Sequence, residues 1–304
     1  MLALSRTVQA HLSIAQPAIA ALVAARGIPP VRVMALGFVA AWSGLHAVFA
    51  LNDLVDHQLD RARFAHLKSY RGFDVDAAIV RHPLAQGYLR RRHAMVWILA
   101  LGGVALVLAL ELAPMSALLL GIAVVLEVGY CVLARVSAWK VVLTGVMVGL
   151  GALAGWFPVT SETGWGLVVV FGWMALWEIG GRNVVNDWAD LEEDRVLGVR
   201  TVPSVAGPQA ASRVVLAGNV GATVLGMAVA GPAGLPWWYV PVAGAVGLVL
   251  LVAPSVRLAR TYCEVDAHRL FNRASFYPPV MMVAVGAGYV LVDWTRRAFE
   301  LLVG

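Results

Sequence analysis

Residues 31–61 read VRVMALGFVAAWSGLHAVFALNDLVDHQLDR, and residues 165–195 read WGLVVVFGWMALWEIGGRNVVNDWADLEEDR. Each is an apolar run of about twenty residues, enough for a helix to cross a bilayer, and each ends in the same polar pattern. That pattern is Asn-Asp-x-x-Asp-x-x-x-Asp-Arg, carried by Asn52, Asp53, Asp56, Asp60 and Arg61, and again by Asn186, Asp187, Asp190, Asp194 and Arg195. A repeated block between apolar segments suggests an internal duplication, although the copies diverge outside the motif.

The rest of the chain fits a membrane setting. Of 304 residues, 60% are hydrophobic and 13% charged, and the mean hydropathy is +0.78. Soluble domains carry about 25% charged residues, so a soluble globular protein and a disordered chain are both disfavoured. Candidate spans run near 10–25, 31–51, 94–112, 115–134, 138–158, 165–185, 211–230, 236–255 and 276–294. The expectation is an all-α integral membrane protein, a single domain over 1–304 with about nine transmembrane helices, the first being the weakest. Gly149, Gly151, Gly155 and Pro158 interrupt a span, as bundled helices tolerate. The N-terminus lacks a clean signal-peptide core, since Gln9, His11, Gln16 and Pro17 interrupt it, so residue 1 onward is read as mature protein.

Charge gives an orientation. The net charge is +5, from 23 Lys+Arg against 18 Asp+Glu, and the basic residues cluster in alternate connections. The 52–92 segment holds Arg61, Arg63, Lys68, Arg71, Arg81 and Arg90 to Arg92; later connections hold Arg135 and Lys140, then Arg195, Arg200 and Arg213, then Arg257, Arg260, Arg269 and Arg273. The positive-inside rule places these loops, and both acidic motifs, on the cytoplasmic side of a plasma membrane. Arg26, Arg32, Arg296 and Arg297 run against it. The charge is therefore read as topology and not as nucleic-acid binding.

The motif spacing carries chemistry. On a continuous helix, Asp53, Asp56 and Asp60 share one face, as do Asp187, Asp190 and Asp194, and Asn52 and Asn186 sit four residues before Asp56 and Asp190. Two carboxylates about 4 Å apart repel by roughly 4 kcal/mol at an effective dielectric of 20. Divalent cations and a bound polyanion resolve that conflict, and all-oxygen ligands suit Mg²⁺ or Mn²⁺.

With these residues in view, the chain resembles the UbiA superfamily of intramembrane prenyltransferases. The resemblance implies helices around a central cavity, with the two motifs binding an isoprenyl diphosphate through Mg²⁺. It extends to Arg81-His82-Pro83-Leu84-Ala85-Gln86-Gly87 after the first motif, to Tyr130 and Arg135, to Arg182, and to Gly198-Val199-Arg200-Thr201-Val202-Pro203, where Arg200 stands in place of a lysine. By this resemblance Asn52, Asp53, Asp56, Asp60, Asn186, Asp187, Asp190 and Asp194 are metal ligands. Arg81, Tyr130, Arg135, Lys140, Arg182 and Arg200 hold diphosphate, and Asp56, Asp190 and Arg135 carry catalysis. The implied reaction ionises the donor to an allylic cation that a small hydrophobic or aromatic acceptor attacks, within membrane lipid. A quinone precursor such as 4-hydroxybenzoate is the default acceptor. The stretch Phe73-Asp74-Val75-Asp76 lies in a loop expected to cover the site.

Two rival readings remain open: a terpene cyclase of the same superfamily, and a secondary transporter that uses the acidic motifs for ions. Several residues have bland readings. Cys131 and Cys263 are expected to be inert packing residues. His57 is read as a solvated loop residue. Trp156, Trp173 and Trp177 face a cation or, preferably, lie in an interfacial belt. Glu178 and Arg182, four apart, form an ion pair or join the site. Tyr262, His268, Arg273 and Tyr277 line an acceptor mouth or anchor the interface.

Overall fold

The computed structural model describes residues 1–64, 74–75 and 78–303, and among these it is all-helical. The order is α1 (Thr7–Ser13), α2 (Ala15–Ala25), α3 (Val31–Val55), α4 (His57–Phe64), α5 (Arg91–Leu112), α6 (Pro114–Leu133) and α7 (Lys140–Leu153). α8 (Trp165–Trp177) continues through a π-helical turn, Glu178–Asn183, into α9 (Val184–Ala189). α10 (Leu191–Leu197), α11 (Val202–Ala228), α12 (Ala230–Ala233) and α13 (Tyr239–Gly247) follow. A second π turn, Leu248–Val252, leads to α14 (Ala253–Thr261), α15 (Glu264–Ser275) and α16 (Tyr277–Val303).

Among the described residues, seven helical segments are long and apolar enough to cross a membrane: Thr7–Ala25, Val31–Val55, Arg91–Leu112, Pro114–Leu133, Val202–Ala233, Tyr239–Thr261 and Glu264–Leu291. The expected count of nine is therefore not confirmed. The span read at 138–158 is the 14-residue α7, about 21 Å long at 1.5 Å per residue, short of a bilayer core of about 30 Å. The span read at 165–185 is helical but carries Glu178 and Arg182 inside it. Apolar side chains such as Leu99, Val107 and Leu110 on α5 and Val125 and Val132 on α6 are exposed on the outer surface, a composition suited to lipid.

Close helix approach positions the second motif. A Cβ on Gly180 would lie 2.8 Å from the backbone nitrogen of Asn219, and one on Gly218 2.9 Å from Gly180 Cα. Only glycine at both positions lets α11 meet the π turn backbone to backbone. Asn219 then donates to the Gly180 carbonyl (3.2 Å) and to Ser255 Oγ (2.8 Å). On the other side, a Cβ on Gly155 would collide with the Pro17 carbonyl, so α2 is seated directly against the turn after α7.

The tryptophans belong to neither expected setting. Trp173 and Trp177 are fully buried and Trp156 is buried, and none lines the cavity described below. Their indole N–H groups donate to Tyr277 Oη (3.1 Å), the Ala274 carbonyl (2.9 Å) and the Glu162 carbonyl (3.0 Å). They are core residues with satisfied polar handles. Tyr277 is likewise core, and exposed Tyr262 stacks near Trp188. Neither they nor His268 and Arg273 line the cavity. Cys131 is buried but Cys263 is exposed, so burial fits the packing expectation for the first alone, and Cys131 also touches the site described below. His57 sits on a helix, half-buried, rather than in a solvated loop. Phe73 and Asp76, with Lys68 and Arg71, lie outside the described residues, whereas the Val75 N–H donates to Asn272 Oδ1 (3.0 Å).

Candidate active site

The two motifs do not lie on continuous helices. α3 ends at Val55, Asp56 takes φ −83°, ψ 3°, and α4 begins at His57. α9 ends at Ala189, Asp190 takes φ −100°, ψ 16°, and α10 begins at Leu191. The middle aspartate of each copy is thus a bend residue in the sparsely populated bridge region. Asp competes with the helix for local backbone geometry, and here that tendency falls at the same motif position twice. The backbone hydrogen bonds persist through both bends: Asp56 N to Asn52 O (2.9 Å) and Asp60 N to Asp56 O (2.9 Å), Asp190 N to Asn186 O (3.1 Å) and Asp194 N to Asp190 O (2.9 Å).

Both bends face one cavity of about 990 Å³. Asn52, Asp56, Asp60, Asn186, Asp187 and Asp190 line it, with Arg81, Tyr130, Lys140 and Arg182. Asp53 and Asp194 are buried behind this wall and do not line it. Arg135 and Arg200 are not brought in: both side chains are exposed and outside the lining. Arg200 contributes its backbone N–H to the Ala134 carbonyl (2.8 Å), tying the loop after α10 to the end of α6.

Cationic groups stand against the acids. Arg81 Nη2 donates to both oxygens of Asp190, at 3.2 and 2.9 Å. Lys140 Nζ lies 3.3 Å from Asp187 Oδ1 and donates to Tyr130 Oη (3.1 Å), which also accepts from Asn183 Nδ2 (3.2 Å). The Arg182 guanidinium packs over the Phe271 and Trp177 rings, at 4.9 and 5.5 Å.

The sequence reading missed four participants. Arg6 donates to Asn52 Oδ1 (3.1 Å) and lies 3.6 Å from Asp53. His82 Nδ1 lies 2.9 Å from both Asp53 Oδ1 and Asp60 Oδ2, on a backbone with φ of +48°. A non-glycine residue there is strained and persists where its surroundings hold it. Burial by itself lowers the His82 pKa, but the hydrogen bonds to the two aspartates outweigh it and hold the imidazole above its ordinary value. Glu127, an acid inside apolar α6, accepts from Asn52 Nδ2 (2.7 Å), and Cys131 Sγ lies 3.5 Å from the same nitrogen. Asp56 is pushed above the usual carboxylate range, first by burial and then by Asp60.

The donor set fits a hard divalent cation. Asp53 and Asp60 each bring a buried carboxylate oxygen within 4.8 Å of the other and of His82 Nδ1, and Asp53 Oδ2 is buried with no hydrogen-bond partner among the described residues. Oxygen-rich, carboxylate-dominated groups of this kind suit Mg²⁺ or Mn²⁺.

The sequence profile of the UbiA prenyltransferase family matches residues 14–277. The chain belongs to that family. Among curated UbiA-type relatives, protoheme IX farnesyltransferase of Gloeobacter violaceus is 28% identical over 158 residues, 51% of this chain and 50% of that protein. The chain spans about half the length of the first curated relatives it matches. Among solved structures, the apo UbiA homologue of Aeropyrum pernix aligns with a TM-score of 0.71 at 19% identity, covering 94% of this chain and 98% of that one. The Archaeoglobus fulgidus UbiA homologue bound to DMAPP and Mg²⁺ aligns with a TM-score of 0.64 at 18% identity, covering 93% and 98%. At such identities the likeness establishes the UbiA fold.

Proposed function

We propose that this UbiA-family chain, acting as a single domain over 1–304, transfers a prenyl group from an isoprenyl diphosphate to an acceptor within the membrane, with Mg²⁺. The observation that carries the reading is the pair of bent aspartate motifs facing one cavity, acidic and cation-rich at one end and apolar along α3. Asn52, Asp53, Asp56, Asp60, Asn186, Asp187 and Asp190 would hold the cation. A divalent ion there neutralises diphosphate charge and promotes its departure.

The chain's own residues do the rest. Lys140 is held by Asp187 and Tyr130, and Arg81 by Asp190. Both place positive charge beside the acids, where departing phosphate oxygens collect charge. Arg182, fixed over two rings, is a third such group. Phe38, Ala41, Leu45 and Phe49 of α3 line the apolar stretch, which suits an isoprenoid tail and keeps water from an allylic cation. The acceptor is a small hydrophobic or aromatic molecule, with a quinone precursor such as 4-hydroxybenzoate as the first to try. The active site faces the cytoplasm of a plasma membrane, as the basic loops argue.

The test is donor turnover by the full chain in nanodiscs with geranylgeranyl diphosphate, Mg²⁺ and a panel of acceptors, following diphosphate release and product mass. Mg²⁺-dependent release with an acceptor adduct, lost in Asp56→Ala and Asp190→Ala, supports the proposal. A cyclised hydrocarbon without adduct replaces it with cyclase chemistry. Intact donor with well-folded protein overturns it.

A further inference from the structure

One wall of the cavity is unlike the others. α1 and α2 stay helical through Ile14 (φ −58°, ψ −28°), so Gln9, Ser13 and Gln16, spaced four and three apart, fall on one face. All three line the cavity and are 4, 4 and 5% exposed. The side chains of Ser13 and Gln16 make no hydrogen bond to any described residue. Pro17 also lacks the N–H that would bond the Ser13 carbonyl. Arg6, which touches the first motif, stands just before this face, and the three residues extend about 10 Å along the axis away from it. Buried amides and hydroxyls within an apolar membrane helix are costly unless they are hydrogen-bonded.

We propose that the Gln9–Ser13–Gln16 face is the acceptor subsite, and that it takes a neutral ring bearing hydroxyl or carbonyl groups rather than a carboxylate or phosphate. The inference rests on the prenyl-transfer reading above and narrows its acceptor, setting aside 4-hydroxybenzoate, a carboxylate, in favour of neutral quinone precursors. Ser13 and Gln16 offer a hydroxyl and an amide, which both donate and accept hydrogen bonds, Gln9 adds a second amide that has a partner of its own within the protein, and the face has no cation of its own. Arg6 is already engaged by Asn52 and Asp53. An anionic acceptor seated on this face would therefore find no counter-charge on its own wall. A neutral phenol or quinol pairs with the amides at no such cost. The contact of Gly155 with Pro17 fixes α2 in place, so the face is preformed.

Binding and turnover test this separately. Calorimetric titration of the full chain in nanodiscs would use 1,4-dihydroxynaphthalene as the neutral probe and 1,4-dihydroxy-2-naphthoate as its carboxylated counterpart. The neutral probe is expected to bind at least about tenfold tighter. The Gln9→Leu/Gln16→Leu double variant should lose about tenfold or more for it, one to two hydrogen bonds' worth. In turnover, the acceptor KM should rise while the donor KM holds. Gln16→Met alone, a milder change, should show about a fivefold loss. Equal binding of both probes, tighter binding of the carboxylate, no binding of either, or a Kd unmoved in both variants overturns the subsite. Loss of donor turnover in wild-type protein that still binds the probe would overturn the transferase reading and leave the subsite standing.

Discussion

Arg81 and Asp190 meet across 109 residues through one guanidinium nitrogen shared by two carboxylate oxygens. A lysine there keeps the charge but lacks the guanidinium's further donors, which suit phosphate oxygens. Arg81→Lys is therefore expected to lower kcat/KM for the donor by about tenfold, and a steady-state series in prenyl diphosphate at fixed Mg²⁺ would show it. Removing a carboxylate at a bend goes further. Asp56→Asn and Asp190→Asn should each cost at least about a hundredfold in turnover, since a neutral amide no longer offsets a cation, while leaving the melting temperature in detergent within a few degrees. The acids themselves were legible because their pattern occurs twice. Their partners were less so. Arg6 precedes the first apolar helix and reads as an interface charge, and nothing local announces a contact 46 residues away. His82 lies in a stretch already singled out, but its left-handed backbone has no sequence signature. Glu127 did leave a signal: it is the one acid in an apolar run, and an ionisable group inside a span is a site candidate by default.

At the scale of elements, the helical spacing of the motifs suggested two straight ridges of ligands, and the structure bends each ridge at its middle aspartate. The period of a helix shows which residues share a face, but not where the axis turns. Span positions were readable from hydropathy; the two not confirmed are α7, short where glycines and Pro158 accumulate, and the segment of α8 and its π turn, which carries Glu178 and Arg182. The contact of Gly180 with Gly218 was not readable, because small residues are common throughout this chain. It sets how the second motif is presented. Gly180→Ala would push a methyl into backbone on α11, and overpacking of this kind costs about 1–3 kcal/mol. The expected outcome is a lower melting temperature and reduced turnover together, checked by a thermal shift series. Gly286→Ala, where open space surrounds the position, should leave both unchanged.

Across the whole molecule, acids of both motifs are paired with cationic groups from other parts of the chain: Arg6 and His82 against the first motif, Lys140 and Arg81 against the second. Chelation with EDTA should thus abolish turnover while lowering the melting temperature by only a few degrees. Mg²⁺ or Mn²⁺ should restore turnover, and a parallel thermal melt separates the two effects. A large unfolding transition on chelation would show that the cation holds the fold together.

The same pairing has a consequence for how the chain is made. Arg6 is synthesised before Asp53, Arg81 before Asp190, and Lys140 before Asp187. At about 5–20 residues per second, the 109 residues from Arg81 to Asp190 take roughly 5–20 s to emerge. Each of these carboxylates is therefore made after its cation, whereas Asp53 and Asp60 wait until residue 82 for their imidazole. The order of residues along the chain thus gives Asp53, Asp187 and Asp190 each a cation that is already synthesised when the acid emerges.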